Sequence, residues 1–62
     1  MIALTLTGGV IENDEVYINP INIIGIVSND EGSTDVICVD QTVFEVKETP
    51  IQVFNLINNK VN

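Results

Sequence analysis

Sixty-two residues make room for one domain, and nine acidic side chains against Lys47 and Lys60 leave a formal charge of −7. Two cations cannot neutralise the several phosphates on which nucleic-acid affinity depends, and the same deficit disfavours an anionic membrane surface. With one cysteine, Cys38, and no histidine, neither an intramolecular disulfide nor a structural zinc cage can be built.

Along the chain, Ile2/Leu4/Leu6 alternate with Ala3/Thr5/Thr7, the period-two pattern of a half-buried strand over 2–7. Gly8-Gly9 breaks it with a pair able to supply the positive φ of a tight hairpin. Val10-Ile11 reads as a brief return along that strand, and 12–14 as a polar loop. A second strand over 15–18 puts Val16 and Ile18 on one face. It stops at Asn19-Pro20, because proline donates no ladder hydrogen bond and biases its predecessor away from helix. The extended pattern resumes over about 22–28, apolar at 21, 23, 24, 26 and 27, with Gly25 marking a bulge or the close approach of another backbone. Residues 28–33 are a turn by composition. The fourth strand, 34–39, contains the run Val36-Ile37-Cys38-Val39, and Asp40-Gln41 has the length of a two-residue hairpin loop. The fifth, 42–47, alternates Thr42/Phe44/Val46 with Val43/Glu45/Lys47.

The strongest local signal is a helix start. Thr49-Pro50-Ile51-Gln52 offers a threonine N-cap, proline at the first helical position and glutamine three residues after the cap. Val53, Phe54, Ile57 and Val61 then form one apolar stripe over a helix of about 50–59. Asn58-Asn59 and Lys60 suit its end, where asparagine tolerates left-handed geometry and a cation opposes the dipole. The expected fold is mainly β (α+β): a small antiparallel five-stranded sheet or partly open barrel with one C-terminal helix.

A chain this short buries only about 60 % of the surface its unfolded form exposes. Small folds offset that shortfall with disulfides, a metal or self-association, and here self-association is the remedy left. The third and fourth strands carry apolar residues on both faces, and one short helix can cover only one. Burying a valine or isoleucine side chain is worth about 1.5–3 kcal/mol, so Ile24, Val27, Ile37 and Val39, with Phe54 on the helix, are the candidate interface. A homo-oligomer is expected, with barrel closure as the competing way to cover the second face.

Catalysis finds little support. No histidine is present, Cys38 has no visible base, and the hydroxyls stand in no nucleophile motif. Paired carboxylates would need a cleft that this chain could hardly frame. The segment Asn29 to Asp35 lacks the ligand spacing and distal glutamate of a calcium loop and reads as a solvated turn. Cys38, inside an apolar run, reads as an inert packing residue. Tyr17 and Asn19, beside the Pro20 break, are candidate contact residues, and Lys47 is a candidate contact for an anionic group. No cofactor and no metal are expected. No basic n-region or long apolar run adjoins the opening strand, so neither a signal peptide nor a transmembrane span is predicted, and an unpaired cysteine suits the cytoplasm.

The order of features resembles a known family. Ile2-Ala3-Leu4-Thr5, then Val16-Tyr17-Ile18-Asn19-Pro20, Ile23, Ile26 and Thr34-Asp35-Val36 are similar to the small FlbD-like proteins associated with flagellar and swarming motility. So are Phe44-Glu45-Val46-Lys47-Glu48-Thr49, Val53 and Ile57. The resemblance spans nearly the whole chain through short, mostly structural motifs. It departs at the longer segment 8–14 and at Asp40-Gln41, where a glycine-containing turn is usual. It implies a small β-protein with a terminal helix, no established chemistry, and members in phages as well as beside flagellar genes. The carbon storage regulator, also a short β-rich chain with a C-terminal helix and one that dimerises, is a second comparison, but its basic RNA-binding residues have no counterpart here.

Two functions follow as expectations. The first is a non-catalytic, oligomeric interaction protein acting through a protein partner. The alternative is a phage-encoded inhibitor or sponge, in the infected host's cytoplasm, that sequesters a host defence protein or a small signalling ligand between subunits.

Overall fold

The computed structural model describes residues 1–8 and 14–59; the predicted return at Val10-Ile11, with Gly9, Lys60 and Val61, lies outside the described residues. The elements are β1 Ile2–Thr5, β2 Glu15–Ile18, a 3-10 helix Pro20–Asn22, β3 Ile23–Ser28, β4 Thr34–Cys38, β5 Val43–Val46 and α1 Pro50–Asn58. The fold is small and α+β, mainly strand, with one C-terminal helix.

The five strands do not form one sheet. β1 and β2 make an antiparallel pair, and β3, β4 and β5 make a separate antiparallel meander. The expected first strand, 2–7, instead serves two partners at its far end. On one edge Ile2 to Thr5 pair with β2 and Leu6 N–H donates to the Asp14 carbonyl at 2.8 Å; on the other edge Leu6 bridges Val46, Thr7 N–H donates to the Glu45 carbonyl at 2.9 Å and Lys47 N–H to the Thr5 carbonyl at 2.8 Å. Each edge of β1 thus serves a different neighbour, and this short seam joins the two sheets. Gly8 ends the strand at φ +78°, and a Cβ there would collide with the Glu45 carboxyl group, so both backbone and space call for glycine.

Cross-strand pairing decides which side chains turn inward. Ile2 faces Ile18 and Leu4 faces Val16, while Val36 faces both Ile26 and Phe44. Ile2, Leu4 and Ile18 from the hairpin meet Val36, Cys38 and Val46 from the meander, and Val53 of α1 closes the cluster. β4 alternates in burial although not in polarity: Thr34, Val36 and Cys38 are buried, whereas Asp35 and Ile37 are half-buried on the other side.

Three local expectations are corrected. Ile21 and Asn22 do not belong to an extended run: Asn19 caps the 3-10 helix, its Oδ1 accepting from Ile21 N–H at 3.2 Å, with Pro20 in the first position. The loop between β4 and β5 has three residues and not two. Gln41 N–H donates to the Cys38 carbonyl at 2.9 Å and Cys38 N–H to Thr42 at 2.8 Å, with Gln41 at φ +75°. A turn followed by a left-handed residue is the usual three-residue hairpin, and glycine is the residue that fits there without strain. At the helix end, Asn59 is not left-handed (φ −85°); Asn58 Nδ2 donates back to the Phe54 carbonyl at 3.0 Å. The helix start matches its prediction: Gln52 N–H donates to Thr49 Oγ1 at 3.1 Å and Thr49 N–H to Gln52 Oε1 at 2.8 Å, a complete capping box.

The Thr34 hydroxyl is buried and has no hydrogen-bond partner among the described residues. Valine has the same branched shape without the polar atom. Thr34→Val is expected to stabilise by about 1 kcal/mol, raising the thermal midpoint by about 4–8 °C in a calorimetric scan.

Candidate functional site

The outer face of the meander is built from two paired rows, Gly25–Ile37–Val43 and Val27–Asp35–Glu45. In simple alternation Ile24 would share the inward face of Ile26, and Ile23 would turn outward with Gly25 and Val27. A bulge prevents this: Ile23 pairs with Cys38 and Gly25 with Ile37, so Ile24 is the inserted residue and stands 66 % exposed. Val27 and Val43 are each about half exposed on the same face. Ile37 packs over Gly25, its Cδ1 3.4 Å from where a Cβ would stand, and is half-buried. Val53 holds α1 on the core side, so no described element covers the outer face.

One end of that face is polar and tightly bonded. Asn29 Oδ1 accepts from the amides of Glu31 and Ser33 at 3.0 and 3.1 Å, which shapes the β3–β4 loop. Its Nδ2 donates to Asp35 at 3.0 Å and to Glu45 at 3.2 Å, and Ser33 Oγ donates to Glu45 at 2.7 Å. Asp35 and Glu45 are direct cross-strand neighbours, an arrangement that repels unless donors lie between them. Asn29 and Ser33 supply those donors.

A second feature is a cleft of about 440 Å³ between the end of β2 with its 3-10 helix and the β4–β5 loop. Tyr17, Asn19 and Val39, singled out separately from the sequence, all line it. Ile18, Cys38 and Phe44 form apolar wall, and Asn22, Asp40 and Thr42 bring polar groups. Val39 N–H donates to the Asn22 carbonyl at 2.8 Å, tying the two sides together behind the cleft. Tyr17 is 58 % exposed, and its hydroxyl donates to Glu15 at 2.6 Å, which raises its pKa. Thr42 N–H, donating to the Asp40 carboxylate at 3.1 Å, holds that carboxyl below its ordinary value. Burial, and then the Asp40 charge, pushes the Cys38 thiol up, so little thiolate is present at neutral pH.

The candidate interface residues therefore separate. Ile24, Val27 and Ile37 share the outer face, Val39 belongs to the cleft, and Phe54 stands 54 % exposed on α1. Lys47, exposed just past β5, lines neither. Asp40, Thr42 and Phe44 are not legible as site residues because only the three-residue turn and the pairing of β5 with β4 bring them to the same cleft as Tyr17. No described helix is long and apolar enough to cross a membrane. No family model matches this chain, and neither a curated protein nor a solved structure matches it.

Proposed function

We propose that this chain is a non-catalytic interaction module that self-associates through the outer face of β3–β4–β5 and acts on a protein partner. The observation that carries the reading is the apolar patch of Ile24, Val27, Ile37 and Val43, which no described element covers, in a chain too small to leave such surface in water without cost. The polar end built from Asn29, Asp35 and Glu45 gives the patch a hydrophilic margin, the anatomy of a specific interface. Membership of the FlbD-like group and a cytoplasmic location belong to the same proposal.

Sedimentation equilibrium tests it. The wild-type chain is expected to run as a multiple of its own mass at micromolar concentration, and Val27→Lys with Val43→Lys to run as a folded monomer. Both side chains are half exposed in the single chain, so the double variant keeps its core. A wild-type monomer throughout the accessible range, or an unchanged oligomer in the double variant, would sink the reading.

A further inference from the structure

We infer that the cleft between Tyr17 and the β4–β5 loop receives an arginine side chain from an extended segment of the partner protein. This rests on the proposal that the partner is a protein, but not on self-association, since every lining residue comes from one chain.

The cleft volume of about 440 Å³ exceeds one side chain and admits an arginine together with its flanking backbone. Its chemistry selects a cation on an apolar stem. Ile18, Val39 and the Phe44 ring offer the wall along which a three-methylene stem packs while its head stays in water. The carboxylate at the mouth, Asp40, accepts from the Thr42 amide and from the Thr42 hydroxyl, and its remaining lone pairs can still accept from a guanidinium donor. That same amide bond keeps Asp40 ionised. Tyr17, anchored by Glu15 through its hydroxyl, presents an exposed ring for a cation to stack against.

Charge points the same way. Among the described residues no lysine or arginine side chain lines the cleft, and Met1, which borders it with its terminal ammonium, is 84 % exposed, so water screens that charge. The whole chain, at −7, draws cationic segments toward it and repels anionic ones. A planar guanidinium suits both the carboxylate and the ring better than an ammonium does.

Amide NMR titration with the blocked peptide acetyl-Gly-Leu-Arg-Leu-Gly-amide provides the test. Saturable shifts are expected at Asn22, Val39 and Thr42. Replacing the peptide's arginine by citrulline, which keeps shape and loses charge, should weaken binding about threefold or more, the factor an exposed ion pair yields. Asp40→Asn should weaken it similarly, because asparagine can still accept from Thr42 and the loop stays formed. Added salt should weaken the wild-type complex as well. Equal binding of the citrulline peptide, an unaffected Asp40→Asn variant, or shifts confined to another surface would overturn the assignment, as would no shift at millimolar peptide. Agmatine, a free alkylguanidinium, distinguishes the source: binding as tight as the peptide's would mean that the cleft reads a small cation and not a partner segment. Sedimentation of the same samples reports self-association separately, so failure of one proposal is not mistaken for failure of the other.

Discussion

Leu4→Ala is expected to cost about 2–5 kcal/mol, against a total stability of about 3–9 kcal/mol for a chain of this length. Leu4 is fully buried and sits where the two sheets and α1 converge, in one cluster with Val36, Val46 and Val53. Truncation removes the side chain that fills this junction, and the surrounding strands are held by pairing and cannot all collapse inward. The neighbouring Ala3 points the other way and is exposed, so Ala3→Ser should change stability by less than about 0.5 kcal/mol. Urea unfolding at a fixed protein concentration checks both. A midpoint for Leu4→Ala close to wild type, with the slope unchanged, would mean that the core is not centred on this seam.

Glu48→Ala is expected to cost about 1.5–3 kcal/mol, large for a half-buried residue outside the apolar core. Both carboxylate oxygens accept from Thr5, one from its N–H at 2.9 Å and one from its hydroxyl at 2.9 Å. β5 ends at Val46, so no strand residue beyond it accepts the Thr5 N–H, and the Glu48 carboxylate takes that role as the chain turns into α1. The bond lies beside the Lys47–Thr5 contact of the seam between the sheets. Its loss should therefore loosen the seam as well as one amide. Hydrogen exchange gives a local reading: the Thr5 amide should be protected in the wild type and exchange much faster in Glu48→Ala, with Glu48→Gln in between because it retains an acceptor. An equally slow Thr5 amide in Glu48→Ala would show that the carboxylate does not hold it.

These two residues mark different degrees of legibility. Leu4 was readable as inward-facing because a strand's period of two needs only its immediate neighbours. Glu48 was not readable, because its partner lies forty-three positions away and no local pattern connects them. The cap-proline signal shows the same boundary from within. Thr49-Pro50 is legible as a helix start, while Asn19-Pro20, with the same logic of capping oxygen and first-position proline, is legible only as a strand stop. A short 3-10 turn carries no apolar stripe to announce it.

The candidate surfaces divide along that line too. Apolar excess in the third and fourth strands was visible in the composition of 22–39, and the fifth strand's alternation was visible as well. Which of those residues share a face was not, because the Ile24 bulge shifts the register by one and a one-residue shift changes the side on which a side chain emerges. By itself, then, the sequence determined the strand and helix types, the capping box at Thr49 and the absence of an internal disulfide, all of which depend on composition or on residues within a few positions. Only the tertiary structure decided that β1 divides itself between two sheets, that Ile24 joins Val27 outside, and that Tyr17 meets Asp40 across a cleft. Each of these depends on contacts between distant segments, whose geometry is set by the packing of the whole chain around Leu4 and Val53.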